Sequence, residues 1–161
     1  MPTCDDAWEN LEVKYKELMD CLGQLTEEEL TCAPACGVWT VKDVVAHIWI
    51  WTDLAVETIR IWPDTLSQKP TVNYDDAWNE EQVADKAALP LITVVDGAGS
   101  AHRRLMHQLD LASDEDLAVI GTTPWGEEMS LLNFFMSMAG HYSDHVADLR
   151  AYQDKCLDGC P

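Results

Sequence analysis

Apolar side chains return at every third or fourth position through most of this chain, a spacing that fits a helix and not a strand. Trp8, Leu11, Tyr15, Leu18, Leu22 and Leu25 form the first such stripe. Thr3 and Asp6 stand ahead of it at capping-box spacing, and Gly23 is a natural stop. Together they predict a helix over residues 3–23.

The same reasoning carries along the chain. Thr40 and Asp43 cap a second run, VVAHIWIWTDLAVETIRIW, which lasts until Pro63 breaks it. VVAHIWIW is rich in β-branched residues, yet the cap and the length of the run favour helix. Residues 63–72, with Pro63 and Pro70 near the ends, read as a linker. NYDDAWNEEQVADKAAL (73–89) predicts a short extra helix capped by Asn73. Pro90 then suits the first turn of a longer helix carrying Leu91, Val95, Ala98, His102, Leu105 and Leu109 on one stripe. Gly97 and Gly99 weaken that helix and point to a kink or a close approach. The last helix spans about 130–156 and opens at Ser130.

Two halves of this pattern echo one another. LTEEEL and then a Cys-Pro-Gly loop to Trp39 lead into the second helix; ASDEDL and then a loop with Pro124, Trp125 and Gly126 lead into the last. Each half runs helix, acidic turn, tryptophan-bearing loop, helix with histidine. Two similar helical hairpins of this kind pack as a bundle. The expectation is one all-α domain over residues 1–161, a four-helix bundle with a short extra helix. An apolar share of 47% and seven tryptophans supply ample core for a chain of this length.

The net charge of −19, with only ten scattered basic residues, argues against a nucleic-acid partner, since phosphate contacts need clustered Lys and Arg. No apolar run approaches the about 20 residues that cross a bilayer. The acidic start MPTCDDAWEN lacks the basic and then apolar order of an export signal. These features predict a cytoplasmic protein with no membrane partner. In that compartment the two CxxxC pairs, Cys32 with Cys36 and Cys156 with Cys160, read as ordinary thiols or an adventitious disulfide near the termini; a four-cysteine zinc site is the lesser alternative, because the spacing is looser than that of zinc knuckles.

The histidines carry the chemistry. Successive helical residues turn by about 100°. That turn puts His141 and His145 on the apolar stripe of the last helix with Phe134, Met138 and Tyr152. His47 shares its face with Val44, Trp51, Leu54 and Thr58 on the second helix, so it also points inward. An apolar face buries an imidazole only where something satisfies its nitrogens. Two readings follow: hydrogen-bonded core histidines, or three ligands of one metal ion with positions left open for water or substrate. Asp148, one turn past His145, is either an outer-sphere partner of that histidine or a solvated charge. His102 reads as a core histidine, with a fourth ligand or a general base as alternatives, whereas His107 reads as exposed. Trp51, Trp78 and Tyr142 could wall a pocket, although tryptophans at helical spacing are usually core. No P-loop, GxSxG or GxGxxG is present in the sequence.

GVWTVKDVVAHIWIW, followed far downstream by HYSDHVADLRAY, resembles the DinB/YfiT-like superfamily of four-helix bundles. The intervening DDAWNEE is similar to the ClbS/DfsB branch. The metal-binding members carry one histidine on the second helix and an HxxxH on the last. The resemblance therefore implies His47, His141 and His145 as ligands of a divalent metal such as zinc, nickel or iron, and a homodimer. It further implies a low-molecular-weight thiol cofactor as an option, since members include thiol-dependent transferases and isomerases. The ClbS branch is associated with hydrolytic protection against a cyclopropane-bearing genotoxin that is not tied to a histidine triad, so the triad kept here argues against carrying that activity over directly. The functional expectation is a small hydrolase or thiol-dependent transferase acting on a reactive metabolite or xenobiotic, in a stress or detoxification role. The alternative is a non-enzymatic protein that binds or sequesters a small molecule for self-protection.

Overall fold

Helix starts are marked chemically in this computed structural model, which describes residues 2–65 and 72–157. In chain order the elements are α1 (Cys4–Leu22), α2 (Glu27–Thr31), β1 (Pro34–Cys36), β2 (Trp39–Thr40), α3 (Val41–Arg60) and α4 (Asp76–Ala84). They continue with α5 (Leu91–Leu111), α6 (Asp114–Ala118), β3 (Ile120–Thr122), β4 (Glu128–Ser130) and α7 (Leu131–Leu157). Thr3 with Asp6, Thr26 with Glu29, Thr40 with Asp43 and Ser113 with Asp116 each close a reciprocal capping box. Each box gives partners to two backbone N–H groups near a helix start. The acidic turns noted in the sequence are thus short capped helices.

The long helices α1, α3, α5 and α7 form the four-helix bundle. α3 packs mainly along α5 and α1 mainly along α7, while α3 also touches α7. Tyr142, Phe134 and Phe135 from α7 meet Leu11 and Leu18 of α1, Ile48 of α3 and Leu105 and Leu109 of α5 in a fully buried core. None of the helices among the described residues is long and apolar enough to cross a membrane.

The structure departs from the sequence reading in three places. Both tryptophan-bearing loops are small antiparallel hairpins: β1 pairs with β2, and β3 with β4, with Gly121 opposite Met129. Strands of two or three residues are too short to show an alternating pattern. Gly37 (φ 57°) and Gly126 (φ 93°) supply the left-handed residue that each turn needs. The extra helix is shorter than expected and is capped by Asp75, whose side chain accepts from the Trp78 N–H at 3.0 Å. Asn73 lies two residues ahead of that cap position, and its amide donates to the same Asp75 carboxylate. Cys4, Cys21, Cys32, Cys36 and Cys156 are free thiols, while Cys160 and Pro70 lie outside the described residues.

The two glycines of α5 mark close packing. A Cβ at Gly97 would sit 2.6 Å from the ring of Trp49, whose face also takes the Lys86 ammonium at 4.2 Å. Gly97→Ala should therefore lower stability by about 1–3 kcal/mol through overpacking. Gly140→Ala, in open space on α7, should instead raise it by up to about 1 kcal/mol. Chemical denaturation of the two variants checks the contrast.

Candidate metal centre

The contact between α3 and α7 brings three imidazoles together. His47 projects from α3, and His141 and His145 project from successive turns of α7. His141 Nε2 lies 3.0 Å from His47 Nε2 and 3.1 Å from His145 Nε2. The donor nitrogens of all three fall within 4.8 Å of one another, the one such cluster of His, Cys, Asp or Glu among the described residues. The rings meet edge to face, with interplanar angles of 73° to 77°, as rings radiating from a shared point do.

Proton counting shows what this arrangement lacks. Each neutral imidazole carries one N–H. Asp148 Oδ2 lies 3.3 Å from His145 Nδ1, close enough for charge attraction although not aligned as a hydrogen bond. A carboxylate there favours the proton on Nδ1 and leaves a lone pair on His145 Nε2. His141 Nδ1 is buried without a partner among the described residues, so only Nε2 can engage its neighbours. His141 Nε2, common to both contacts, carries either a proton or a lone pair, so it completes a hydrogen bond with one neighbour and leaves the other contact without one. The residues fit a divalent cation: zinc–nitrogen bonds of about 2.0–2.1 Å place neighbouring donors roughly 2.9–3.4 Å apart.

Electrostatics keeps the trio in its ligand form. Burial, with the two neighbouring histidines, pushes the His47 pKa down to about 2. Burial and His145 push His141 down to about 3. His145 is lowered mainly by burial, against the opposing pull of Asp148 and Asp144. All three are neutral at physiological pH, and desolvation is the dominant cause in each.

His47 and His141 open onto a cavity of about 460 Å³, whose other walls are Trp51, Tyr74, Asn79, Trp125, Ser137 and Met138. His145 sits behind them, backed by Asp148, which in turn accepts from the Cys36 thiol at 3.5 Å. The Trp39 ring, from the first hairpin, lies 5.0 Å from the His47 ring. A larger groove of about 590 Å³ between the start of α1, α6 and α7 holds Cys4, Asp5 and Asp114 but no converging donors.

The remaining residues singled out from sequence go to different places. Trp51 lines the cavity, and Trp78 packs edge-on against it and Tyr74 from behind. Tyr142 does not reach the cavity: it is fully buried, with its hydroxyl 3.1 Å from Thr52 Oγ1. His102 stands apart from the trio. It stacks on Tyr15 with centroids 3.9 Å apart, and its Nε2 lies 3.2 Å from Glu12 Oε2. Tyr74, Asn79 and Trp125 were not singled out as wall residues. Tyr74 and Asn79 flank Trp78 in sequence, and Trp125 is the tryptophan of the second loop.

Comparison with known proteins identifies the family and the fold. The sequence pattern of the DinB superfamily matches residues 10–149. No protein of curated function matches the sequence significantly. Among solved structures, a mycothiol-dependent maleylpyruvate isomerase superposes with a TM-score of 0.76 at 14% identity. That match covers 92% of this chain and 61% of the isomerase, so the chain spans less than two thirds of that relative. YfiT from Bacillus subtilis, described as a probable metal-dependent hydrolase with an unusual four-helix bundle topology, superposes at 0.75 with 20% identity over 95% of this chain and 87% of its own. The four-helix bundle protein TT2238 superposes at 0.66 with 23% identity over 92% and 99%. At these identities the likeness is one of fold.

The depressed histidine pKa values have a measurable consequence for the metal-free protein. In the unfolded chain these groups take up protons near 6.5, whereas in the folded chain they stay neutral well below that. The unfolded state therefore binds more protons in this window. Stability is fully present above 6.5 and is lost as pH falls through it toward the folded values. Denaturation of chelator-treated protein from about pH 7.5 to about pH 5 should show the loss, at on the order of 1.4 kcal/mol per pH unit for each extra proton. A flat profile would contradict neutral burial.

Proposed function

The chain belongs to the DinB superfamily, and from that premise we propose that it holds one divalent metal ion through His47, His141 and His145. We read it as a small hydrolase or thiol-dependent transferase acting on a reactive metabolite or xenobiotic. The observation that carries this reading is the convergence of three Nε2 atoms, 3.0 and 3.1 Å apart, beside a cavity of ligand size. A bound divalent ion would supply Lewis acidity there, lowering the pKa of a water or thiol and polarising a carbonyl.

The chain's own groups supply the rest. Asp148 steadies His145 and biases its proton to Nδ1, keeping Nε2 free as a donor atom. His47 and His141 present their edges to the cavity, where Trp51, Tyr74 and Trp125 exclude water and orient a flat substrate. The relatives of like fold lend support: one is described as a probable metal-dependent hydrolase, and another, a mycothiol-dependent isomerase, depends on a low-molecular-weight thiol. One feature favours the non-enzymatic reading: no carboxylate, lysine or thiol lies among the described residues lining the cavity. Catalysis in this pocket would then rest on the imidazole-held ion alone.

Mass spectrometry of untagged protein should find about one metal ion per chain. His47→Ala, His141→Ala and His145→Ala should each abolish that content, and Asp148→Ala should weaken affinity roughly 10–100-fold. Metal-free wild type with unchanged stability in the histidine variants would refute the site. Hydrolysis or thiol transfer that stops on chelation supports the enzyme; tight ligand binding indifferent to chelation, with no turnover, supports the binder.

A further inference from the structure

The cavity beside the imidazoles has its own chemistry, which names a class of ligand. Trp51 is its hub: the ring lies 5.8 Å from Tyr74, 5.7 Å from Trp125 and 5.8 Å from His141. Its indole Nε1 donates to Asn79 Oδ1 at 2.8 Å, which fixes the orientation of the amide. The Asn79 NH₂ group is left to donate, and it has no partner among the described residues. Ser137 gives its only proton to the Phe134 carbonyl at 2.7 Å, so its oxygen can only accept from a ligand.

Charge narrows the ligand further. No Lys, Arg, Asp or Glu stands among the described lining residues, so a ligand of either charge would find no formal counter-charge in the walls. Burial pushes the Tyr74 pKa up, with a further push from the Glu57 carboxylate, so the phenol stays protonated. Aromatic faces are themselves electron-rich and repel anions. The volume of about 460 Å³ falls within the roughly 300–1,000 Å³ typical of small-molecule sites.

We propose that this cavity takes an uncharged, flat molecule bearing a carbonyl oxygen: an aromatic or conjugated amide, ester or ketone. Its face packs on Trp51, Tyr74 and Trp125, and its oxygen accepts from Asn79 Nδ2. The inference rests on the same site as the proposed function and specifies its substrate class, but the selectivity belongs to the walls and not to the metal. Asn79 is the residue that sets it. Asn79→Asp keeps the acceptor for Trp51 and replaces the donor with negative charge.

Calorimetric titration of the full chain with benzamide, benzoate and benzyltrimethylammonium, each with and without zinc, tests this. These probes share a ring and differ in charge. In the zinc-free protein benzamide should bind at least about tenfold tighter than either charged probe, and Asn79→Asp should weaken it by about tenfold. Circular dichroism confirms that the variant is folded, and Trp125→Ala, which removes a wall without touching Asn79, should weaken benzamide independently. The proposal is overturned if a charged probe binds as tightly as benzamide, if no probe binds, or if Asn79→Asp leaves benzamide affinity unchanged. Zinc stoichiometry is scored in the same samples. Benzamide preference without zinc binding refutes only the metal reading, and zinc binding without the preference refutes only this one.

Discussion

Burying three imidazoles nitrogen to nitrogen is the constraint on which the site depends. Desolvation keeps each ring neutral, and neutrality limits each to one proton. Two Nε2–Nε2 contacts of 3.0 and 3.1 Å that meet at His141 cannot both be satisfied from within, so the cluster carries a burial cost that a bound cation would relieve. The surrounding structure resists relaxing that cost away. α3 is fixed at its start by the Thr40 capping box and along its length by α5, and α7 is fixed along its length by α1. Neither histidine-bearing helix can slide to separate the nitrogens without disturbing the core around Ile48, Phe134 and Tyr142.

The echo between the halves of the chain becomes functional at one end of the bundle. Each half delivers a hairpin ahead of its histidine-bearing helix, and both hairpins close on the imidazoles. The first brings Trp39 against His47 and Cys36 against Asp148. The second brings Trp125 into the cavity wall beside Trp51. The short α4, which has no counterpart in the other half, adds Asn79 and the supporting Trp78. Repetition builds the frame, and the inserted segment adds polar definition to the pocket.

The long helices, their caps and the inward direction of His47, His141 and His145 were legible because all three rest on local periodicity. Two of those caps, Thr3 with Asp6 and Thr40 with Asp43, are two-residue signals at fixed spacing, and a helix face follows from the turn angle. The hairpins were not legible, because each strand is two or three residues long and is defined by its partner. The Asn73 cap failed for a related reason: the competition between Asn73 and Asp75 is decided by which side chain reaches the Trp78 N–H. Tyr142 shows the limit of face reasoning. It neighbours His141 in sequence, yet one step round the helix turns it about 100° away from the cavity, into the core.

His102 and the trio show what separates a structural histidine from a ligand when both lie on apolar stripes. The His102 ring is stacked on Tyr15, its Nε2 faces the Glu12 carboxylate, and its Nδ1 lies 3.5 Å from the Tyr142 hydroxyl. Each nitrogen faces a group of complementary chemistry, and no metal is needed to account for its burial. In the trio the close partners of Nε2 are other Nε2 atoms, which offer the same chemistry on both sides. Burial alone, which the sequence pattern reports, is common to both cases. The discriminating property is whether the neighbours can complete the hydrogen bonding, and that depends on residues such as Glu12, 90 positions away in the chain. An inward histidine becomes a candidate ligand when its neighbours leave a lone pair for something the chain itself does not provide.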